Sequence, residues 1–280
     1  MSWRMRVVHT TGYVYDAPVT RSFNEARLTP RADSRQNVIL SRVDTVPSTR
    51  SFRYTDYWGT AVTSFDLHAP HTELEVTSAS VVETEPFTVP AEELSWEELR
   101  ADGIADRFDE LLQATDYVPR EKRLASVVRQ LARGVPPAKA VVGAAEWVHR
   151  EMEYLAGTTS VHTSAVQAFA ERRGVCQDYA HLTLLLLRAM GIPCRYVSGY
   201  LHPDPAAEVG DTVAGQMHAW VEAWTGEWWG YDPTNNIPIT EQHVSVGVGR
   251  DYADVPPLKG IFSGSGSTDL EVVVEITRLA

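Results

Sequence analysis

The first third of the chain alternates between apolar and polar positions with a period of two, which is the spacing of a β-strand. β-Branched and aromatic residues are concentrated in runs at 6–15, 37–44, 61–67 and 73–85, and Gly, Pro and Asp residues lie between the runs. Short strands separated by turn residues are typical of an antiparallel sandwich or barrel. We therefore predict an N-terminal β domain over residues 1–90.

Helical patterns replace the strands after this point. Residues 91–134 are rich in Glu, Leu, Ala and Arg, which favour helix. A Pro-Pro pair then precedes residues 138–152, whose apolar positions recur every three to four residues. A further helix is predicted from Cys176 to a glycine stop signal at Gly191, and leucines dominate its centre.

Period-two alternation returns after this helix and predicts strands at 194–201, 216–224 and 227–232. A Thr-Gly pair separates the last two strands, as in a hairpin turn. The polar, proline-containing stretch 202–215 is predicted as a loop, and the chain after residue 236 is predicted as loop-like until a final strand at 270–276.

These patterns together predict an α+β protein with two domains. Residues 1–90 form the antiparallel sandwich or barrel. Residues 91–280 form a second domain, in which helices pack on an antiparallel sheet and which ends with a C-terminal strand.

The composition and charge of the chain mainly exclude classes of partner. Of the 280 residues, 44% are hydrophobic and 22% are charged, as in soluble globular proteins. The net charge of −12 leaves no basic field for phosphates, so no nucleic-acid partner is expected. No run approaches the roughly 18 apolar residues of a membrane helix, so no membrane partner is expected. Two cysteines without a secretory signal indicate reduced thiols and a cytoplasmic location.

Cys176 is the candidate nucleophile, because it begins a buried helix where backbone N–H groups and the helix dipole stabilise a thiolate. Cysteine catalysis also needs a base and a group that orients the base. His218 lies on the first strand of the predicted hairpin and Asp232 ends the second, so an imidazole–carboxylate hydrogen bond is feasible. The order of the three residues favours a Cys176–His218–Asp232 triad.

Each of these residues, taken alone, also has a structural explanation. A cysteine at the start of a buried helix usually serves packing, a strand histidine is usually a core or surface residue, and an Asp before Pro usually forms a turn. Period-two alternation places His218, Trp220 and Glu222 on one face of their strand, which we expect to face the helix. Asp178 and His181 are expected to hold the helix start.

A metal site is not predicted. His68 and His71 lack the spacing of a zinc motif, and Cys176 with Cys194 lacks CxxC spacing. No P-loop segment is present, and we expect neither a metal nor an organic cofactor.

The motifs as a set resemble those of the transglutaminase-like cysteine peptidase superfamily, in the bacterial group with an extra N-terminal β domain. Residues 174–182 (GVCQDYAHL) resemble its nucleophile motif, 218–222 (HAWVE) its histidine motif and 232–235 (DPTN) its aspartate motif. Residues 13–19 and 25–31 resemble the N-terminal domain of the same group, and residues 249–257 with Gly260 resemble its tail. The resemblance implies a papain-like half-barrel core and the triad named above.

The resemblance also implies a thiol protease or other cysteine-dependent hydrolase that cleaves an amide bond in a peptide or protein substrate. Transglutaminase-type amine transfer and a non-catalytic binding or scaffold protein are the alternatives. Gln177 and Tyr154 are candidates for the oxyanion hole, with the Cys176 backbone N–H, and Trp220 is a candidate for substrate contact. The substrate, the oligomeric state and the role of the N-terminal domain are left open.

Overall fold

The computed structural model describes residues 2–86, 94–264 and 266–280. The described strands are β1 (Trp3–Val19), β2 (Arg21–Ala26), β3 (Gln36–Val46), β4 (Ser51–Thr55), β5 (Ala61–Leu67), β6 (His71–Thr84), β7 (Glu153–Tyr154), β8 (Arg173–Gly174), β9 (Cys194–Leu201), β10 (Thr212–Trp224), β11 (Trp228–Asp232), β12 (Ile237–Pro238), β13 (His243–Gly249), β14 (Leu258–Ser263) and β15 (Ser267–Arg278). The described α-helices are α1 (Trp96–Leu99), α2 (Asp102–Arg107), α3 (Asp109–Leu112), α4 (Ala125–Leu131), α5 (Pro137–Glu151), α6 (Ala165–Glu171) and α7 (Cys176–Met190).

The N-terminal strands form two antiparallel layers, which confirms the predicted fold class. Strands β15, β1, β6 and β3 are neighbours in one sheet, and β14, β2, β5 and β4 form the other. Buried residues of both sheets share one core, in which Val19, Leu74 and Val76 pack with Phe65. The predicted boundary at residue 90 lies outside the described residues, and the division into two domains stays a prediction.

Both ends of the chain complete these sheets. β15 pairs with β1 along almost its whole length, from Met5 opposite Arg278 to Val14 opposite Asp269. β14 pairs with β2 in the second sheet. Residues far apart in sequence therefore supply the backbone hydrogen bonds that each sheet requires.

β10 connects the N-terminal sheet with the curled sheet of the half-barrel. Its residues Thr212–Gly215 pair with β15, whereas Gln216–Ala223 pair with β9 and Val221–Trp224 pair with β11. The prediction of a loop over the whole of 202–215 is therefore wrong for its last four residues. Their partner strand begins more than 50 residues later, so no local pattern could reveal the pairing.

The region after residue 236 also differs from its predicted loop-like character. β13 is a seven-residue strand in which every residue is buried, and it pairs with β9 on the side away from β10. Its sequence, HVSVGVG, has Val at every second position, which is the period of a strand, and the residues between are His, Ser and Gly. All seven residues are buried, so the small residues between the valines face a covered surface and not solvent.

α7 is the central helix of the helical layer and packs against β9 and β10. Four of its leucines are fully buried, and each contributes about 1.5–3 kcal/mol of burial free energy; they are Leu182, Leu184, Leu186 and Leu187. The helix ends where Gly191 takes a left-handed conformation with φ of 82°. Among the residues that the structure describes, no helix is both long and apolar enough to span a bilayer.

Candidate active site

Cys176 is the first residue of α7, and its side chain is partly exposed. The helix start is held by Asp178, whose Oδ2 accepts hydrogen bonds from the Val175 backbone N–H (2.8 Å) and from the Thr159 hydroxyl (2.7 Å). A Cβ at Gly174 would lie 2.5 Å from the same carboxylate oxygen, so only glycine fits there. The thiol thus sits at a fixed helix N-terminus, where the dipole favours negative charge.

His181 does not share this role. It is fully buried one turn further along α7, and its Nε2 accepts the backbone N–H of Tyr252 at 3.2 Å. Burial lowers the pKa of His181 to about 3, so the ring is neutral and ties α7 to the segment after β13.

The predicted hairpin of β10 and β11 is confirmed, and it brings His218 and Asp232 together. The register pairs Val221 with Tyr231, so the carboxylate at the end of β11 lies beside the imidazole. His218 Nε2 is 2.7 Å from Asp232 Oδ2. The Cys176 side chain is close enough to the His218 ring to raise the pKa of the imidazole, and Nδ1 is the ring nitrogen left for the thiol.

The electrostatics of this group favour a charged imidazole. Burial lowers the pKa of His218, but hydrogen bonds with Asp232 and Cys176 outweigh burial and raise the pKa to about 10. Burial also raises the pKa of Asp232, yet hydrogen bonds from His218 and His243 hold it well below its usual range. An imidazolium next to a carboxylate is therefore the stable form at neutral pH.

Asp232 is completely buried and accepts more hydrogen bonds than the triad alone would provide. Its Oδ1 accepts the backbone N–H groups of Thr234 (2.9 Å) and Asn235 (3.2 Å). Its Oδ2 also accepts the Asn235 side-chain amide at 2.7 Å, and that amide lies 3.5 Å from His218 Nε2. The Asp-Pro-Thr-Asn turn thus fixes the carboxylate that faces the imidazole.

A second histidine, which the sequence reasoning missed, contacts the same carboxylate. His243 begins β13, is fully buried, and places Nε2 3.4 Å from Asp232 Oδ2. It was missed because the segment after residue 236 was predicted as loop-like. The available signal is the period-two alternation of HVSVGVG, in which Val recurs at every second position and His243 stands at the start.

The ligand atoms of His218, Asp232 and His243 lie within 4.8 Å of one another, close enough to surround a metal ion. However, the Thr240 backbone N–H donates to His243 Nδ1 at 3.0 Å. The proton of the neutral ring then occupies Nε2, the nitrogen that would have to ligate the metal. As arranged, the three groups form a hydrogen-bond network.

The other predicted site residues are placed differently. Gln177 is buried, and its Nε2 donates to the Val161 carbonyl at 3.1 Å, so the amide holds the loop beside the helix start. Tyr154 is half exposed; burial and the nearby Cys176 raise its pKa. Their assignment to an oxyanion hole stays a prediction.

Trp220 is fully buried and packs with Val197, Ile239 and Val248. The leucines of α7 share their core with the opposite face of β10, which carries Ala219, Val221 and Ala223. The expectation that the His218–Trp220 face looks toward the helix is therefore wrong. Small side chains on the other face allow the helix to approach the strand closely, while the thiol reaches the imidazole from the helix end.

A cavity of about 400 Å³ opens beside His218, with Tyr154 and Asn235 in its lining. Among the described residues, its lining contains no Asp, Glu, Lys or Arg. The lining residues are Tyr154, Leu201, Pro203, Ala214, Gly215, Gln216, Met217, His218, Thr234 and Asn235. The cavity is large enough for an organic group and not only for water.

Two family models match the chain. The model of the transglutaminase-like superfamily matches residues 125–233, and the model of the bacterial transglutaminase-like N-terminal region matches residues 5–83. An uncharacterized protein of Mycobacterium leprae is 63% identical over 278 residues, which cover 99% of this chain and 100% of that protein.

Further similarity is found to a solved structure and to an enzyme. A crystal structure from Cytophaga hutchinsonii, provisionally described as a cysteine protease, has a TM-score of 0.77 at 22% identity and covers 100% of this chain and 92% of that chain. This structural similarity supports the fold described above. A protein-glutamine gamma-glutamyltransferase of Pseudomonas aeruginosa is 33% identical over 125 residues, which are 42% of this chain but only 19% of that enzyme.

Proposed function

We propose that this chain, which belongs to the transglutaminase-like superfamily and carries the bacterial transglutaminase-like N-terminal region, is a cysteine-dependent enzyme. The reaction that we propose is the hydrolysis of an amide bond. Cys176 is the nucleophile, His218 the acid and base, and Asp232 the residue that orients the imidazole. The observation that carries the proposal is the 2.7 Å hydrogen bond between His218 and the buried Asp232 carboxylate, on an imidazole that also interacts with the Cys176 side chain.

The first half of the proposed reaction forms a thioester. The Cys176 thiolate attacks the carbonyl carbon, and a C–S bond forms as the oxygen takes up negative charge. The His218 imidazolium gives its proton to the leaving nitrogen, so the C–N bond breaks and a neutral amine departs. The backbone N–H of Cys176 at the helix start is our candidate donor to the oxyanion.

The second half returns the enzyme to its starting state. Neutral His218 takes a proton from water, and the resulting hydroxide attacks the thioester carbonyl carbon. The C–S bond breaks, a carboxylic acid is released and loses its proton, and the Cys176 thiolate is restored beside an imidazolium. Asp232 holds one ring orientation through both halves.

Amine transfer is the second candidate, because one relative is a protein-glutamine gamma-glutamyltransferase. In that reaction an amine replaces water as the acceptor and deprotonates to the same imidazole. Within the described residues, the cavity beside His218 offers no carboxylate to attract an ammonium group. This favours hydrolysis as the main activity.

A non-catalytic scaffold explains the network less well. A fully buried carboxylate and a charged imidazole cost desolvation energy that a hydrophobic pair of similar volume would avoid. Strongly shifted pKa values next to a cleft are characteristic of functional sites.

The testing experiment incubates the protein with a library of amide and peptide substrates, with and without a primary amine, and identifies products by mass spectrometry. Hydrolysis yields a free acid in both conditions, whereas transfer yields an amine adduct. The Cys176→Ala variant is the control and should form neither product. A parent protein that matches this variant across the library would refute the enzymatic proposal.

The cytoplasmic location and the absence of nucleic-acid and membrane partners stay predictions from the sequence. The cytoplasmic location forms part of the proposal, because a thiolate nucleophile requires a reduced cysteine and the cytoplasm keeps thiols reduced.

A further inference from the structure

His243 has a hydrogen bond at each ring nitrogen, and together these bonds fix its tautomer. The Thr240 backbone N–H points at Nδ1 with a distance of 3.0 Å. A backbone N–H can only donate, so Nδ1 must be the acceptor. The ring proton therefore lies on Nε2, which faces Asp232 Oδ2 at 3.4 Å. His243 is thus a donor to the buried carboxylate.

A tight turn, an aromatic contact and an anchored strand fix the position of the His243 ring. Its own backbone N–H donates to the Thr240 carbonyl at 3.1 Å, which closes a tight turn before β13. The ring packs edge-on against Trp220, with ring centres 5.3 Å apart. The strand that carries it is anchored further along at Ser245, whose backbone N–H and carbonyl both pair with the Gln36 side chain at 2.8 Å.

The charge state matters as much as the position. Burial lowers the pKa of His243, although Asp232 acts in the opposite direction; His218 and Arg35 lower it further. A neutral donor satisfies a carboxylate oxygen without adding a second positive charge. A charged His243 would instead compete with His218 for the same oxygen.

We propose that His243 is a positioning residue, which acts as a neutral Nε2–H donor and holds the Asp232 carboxylate in line with His218. This inference rests on the proposed function, because it assigns His243 a role in orienting the proposed triad. Among the described residues, Oδ2 without this donor has His218 and Asn235 as partners. The turn after Asp232 still holds Oδ1, but the oxygen that faces the imidazole loses one of the donors that stabilise its negative charge and its alignment.

Two substitutions separate the two hydrogen bonds of the ring. His243→Asn retains an acceptor near the position of Nδ1 but has no donor that reaches Asp232. His243→Gln retains an amide donor near the position of Nε2. A merely structural histidine would show no preference between these variants, or would favour the Asn variant, which keeps the turn at Thr240.

The measured quantity is the rate constant for alkylation of Cys176 by iodoacetamide, from about pH 4 to about pH 9. We expect His243→Asn to lower the rate near pH 6 by about 10- to 100-fold and to move the acidic limb to higher pH, because Asp232 loses a donor that favours its charged form. His243→Gln should recover most of that loss. The matched control is His68→Asn, at an exposed histidine of the N-terminal part, and it should match the parent.

A second measurement needs no variant. The ¹⁵N chemical shifts of His243 in the parent protein should report the neutral Nε2–H tautomer across the neutral pH range. A proton on Nδ1, or a ring that becomes charged near pH 6, would overturn the inference. So would equal alkylation of the Asn and Gln variants, or an Asn variant as reactive as the parent.

Failure of the proposed function looks different. In that case the parent itself would be alkylated near pH 6 no faster than an unperturbed thiol, whatever the tautomer of His243. If the parent is reactive and only the Asn and Gln comparison fails, the triad stands and the role of His243 does not.

Discussion

At the scale of single residues, the charge balance of the site depends on Asp232. It is fully buried, and its ionised form survives only because it accepts hydrogen bonds from two histidines and from the turn that follows it. Its negative charge in turn keeps the proton on His218. A change at Asp232 should therefore be visible first in the titration of His218.

Asp232→Asn should lower the pKa of His218 from about 10, because the carboxylate no longer opposes the effect of burial and only Cys176 still raises the pKa. Alkylation of Cys176 near pH 7 should fall about 100-fold, as expected when an orienting carboxylate is lost. NMR titration of the His218 ring checks the first outcome. Glu275→Gln removes an exposed carboxylate of β15 and serves as the control.

Protonation of His218 also links stability to pH. Its pKa in the folded protein is about 10, against 6.5 for an ordinary histidine, so its contribution is complete below about pH 6.5 and is lost as pH rises through about 10. Between pH 7 and pH 10 the parent should lose about 1–3 kcal/mol more unfolding free energy than His218→Gln. Parallel urea denaturation curves at both pH values provide the measurement; identical losses in the two proteins would contradict it.

At the scale of elements, the start of α7 determines where the thiol lies. Asp178 joins the Val175 N–H to the Thr159 hydroxyl, so the helix and the loop before α6 are held by one carboxylate. The carboxylate can approach so closely because Gly174 has no side chain. The position of the nucleophile thus depends on a glycine two residues before it.

Gly174→Ala should destabilise the protein by about 1–3 kcal/mol, since a Cβ would lie 2.5 Å from Asp178 Oδ2 and must displace it. Chemical denaturation and Cys176 alkylation near pH 6 should both report the change. Gly12→Ala is the matched control on strand β1, where a Cβ meets nothing within 4 Å, and it should be neutral or slightly stabilising. Equal stability of the two variants would contradict the role given to Asp178.

At the scale of the whole molecule, the sheets join the two ends of the chain. β15 lies between β1 and the first residues of β10, and β14 extends the sheet of β2 and β5. Without the N-terminal strands, β14 and β15 would present unpaired backbone groups and apolar side chains to water. The N-terminal part therefore supports the same strand, β10, that carries His218.

Separate expression of residues 1–86 and 94–280 should give two fragments that aggregate or unfold without a cooperative transition. Co-expression should yield a soluble complex, because the β1–β15 and β2–β14 pairings can then form. Size-exclusion chromatography and circular dichroism of each sample check this. A 94–280 fragment that unfolds as cooperatively as the parent would show that the pairings are dispensable.

Local sequence patterns were enough to predict the types of most elements and the three residues of the proposed triad. Strand periodicity, the Thr-Gly turn and the glycine stop after α7 are local signals, and the hairpin between His218 and Asp232 follows from them. Which distant strands are neighbours becomes visible only in three dimensions, because pairings such as β10 with β15 leave no mark in either segment alone. The same holds for the contact of His243 with Asp232. The alternation of Val in HVSVGVG marks a strand, but only the pairing of β13 with β9 brings the histidine at its start to the carboxylate at the end of β11.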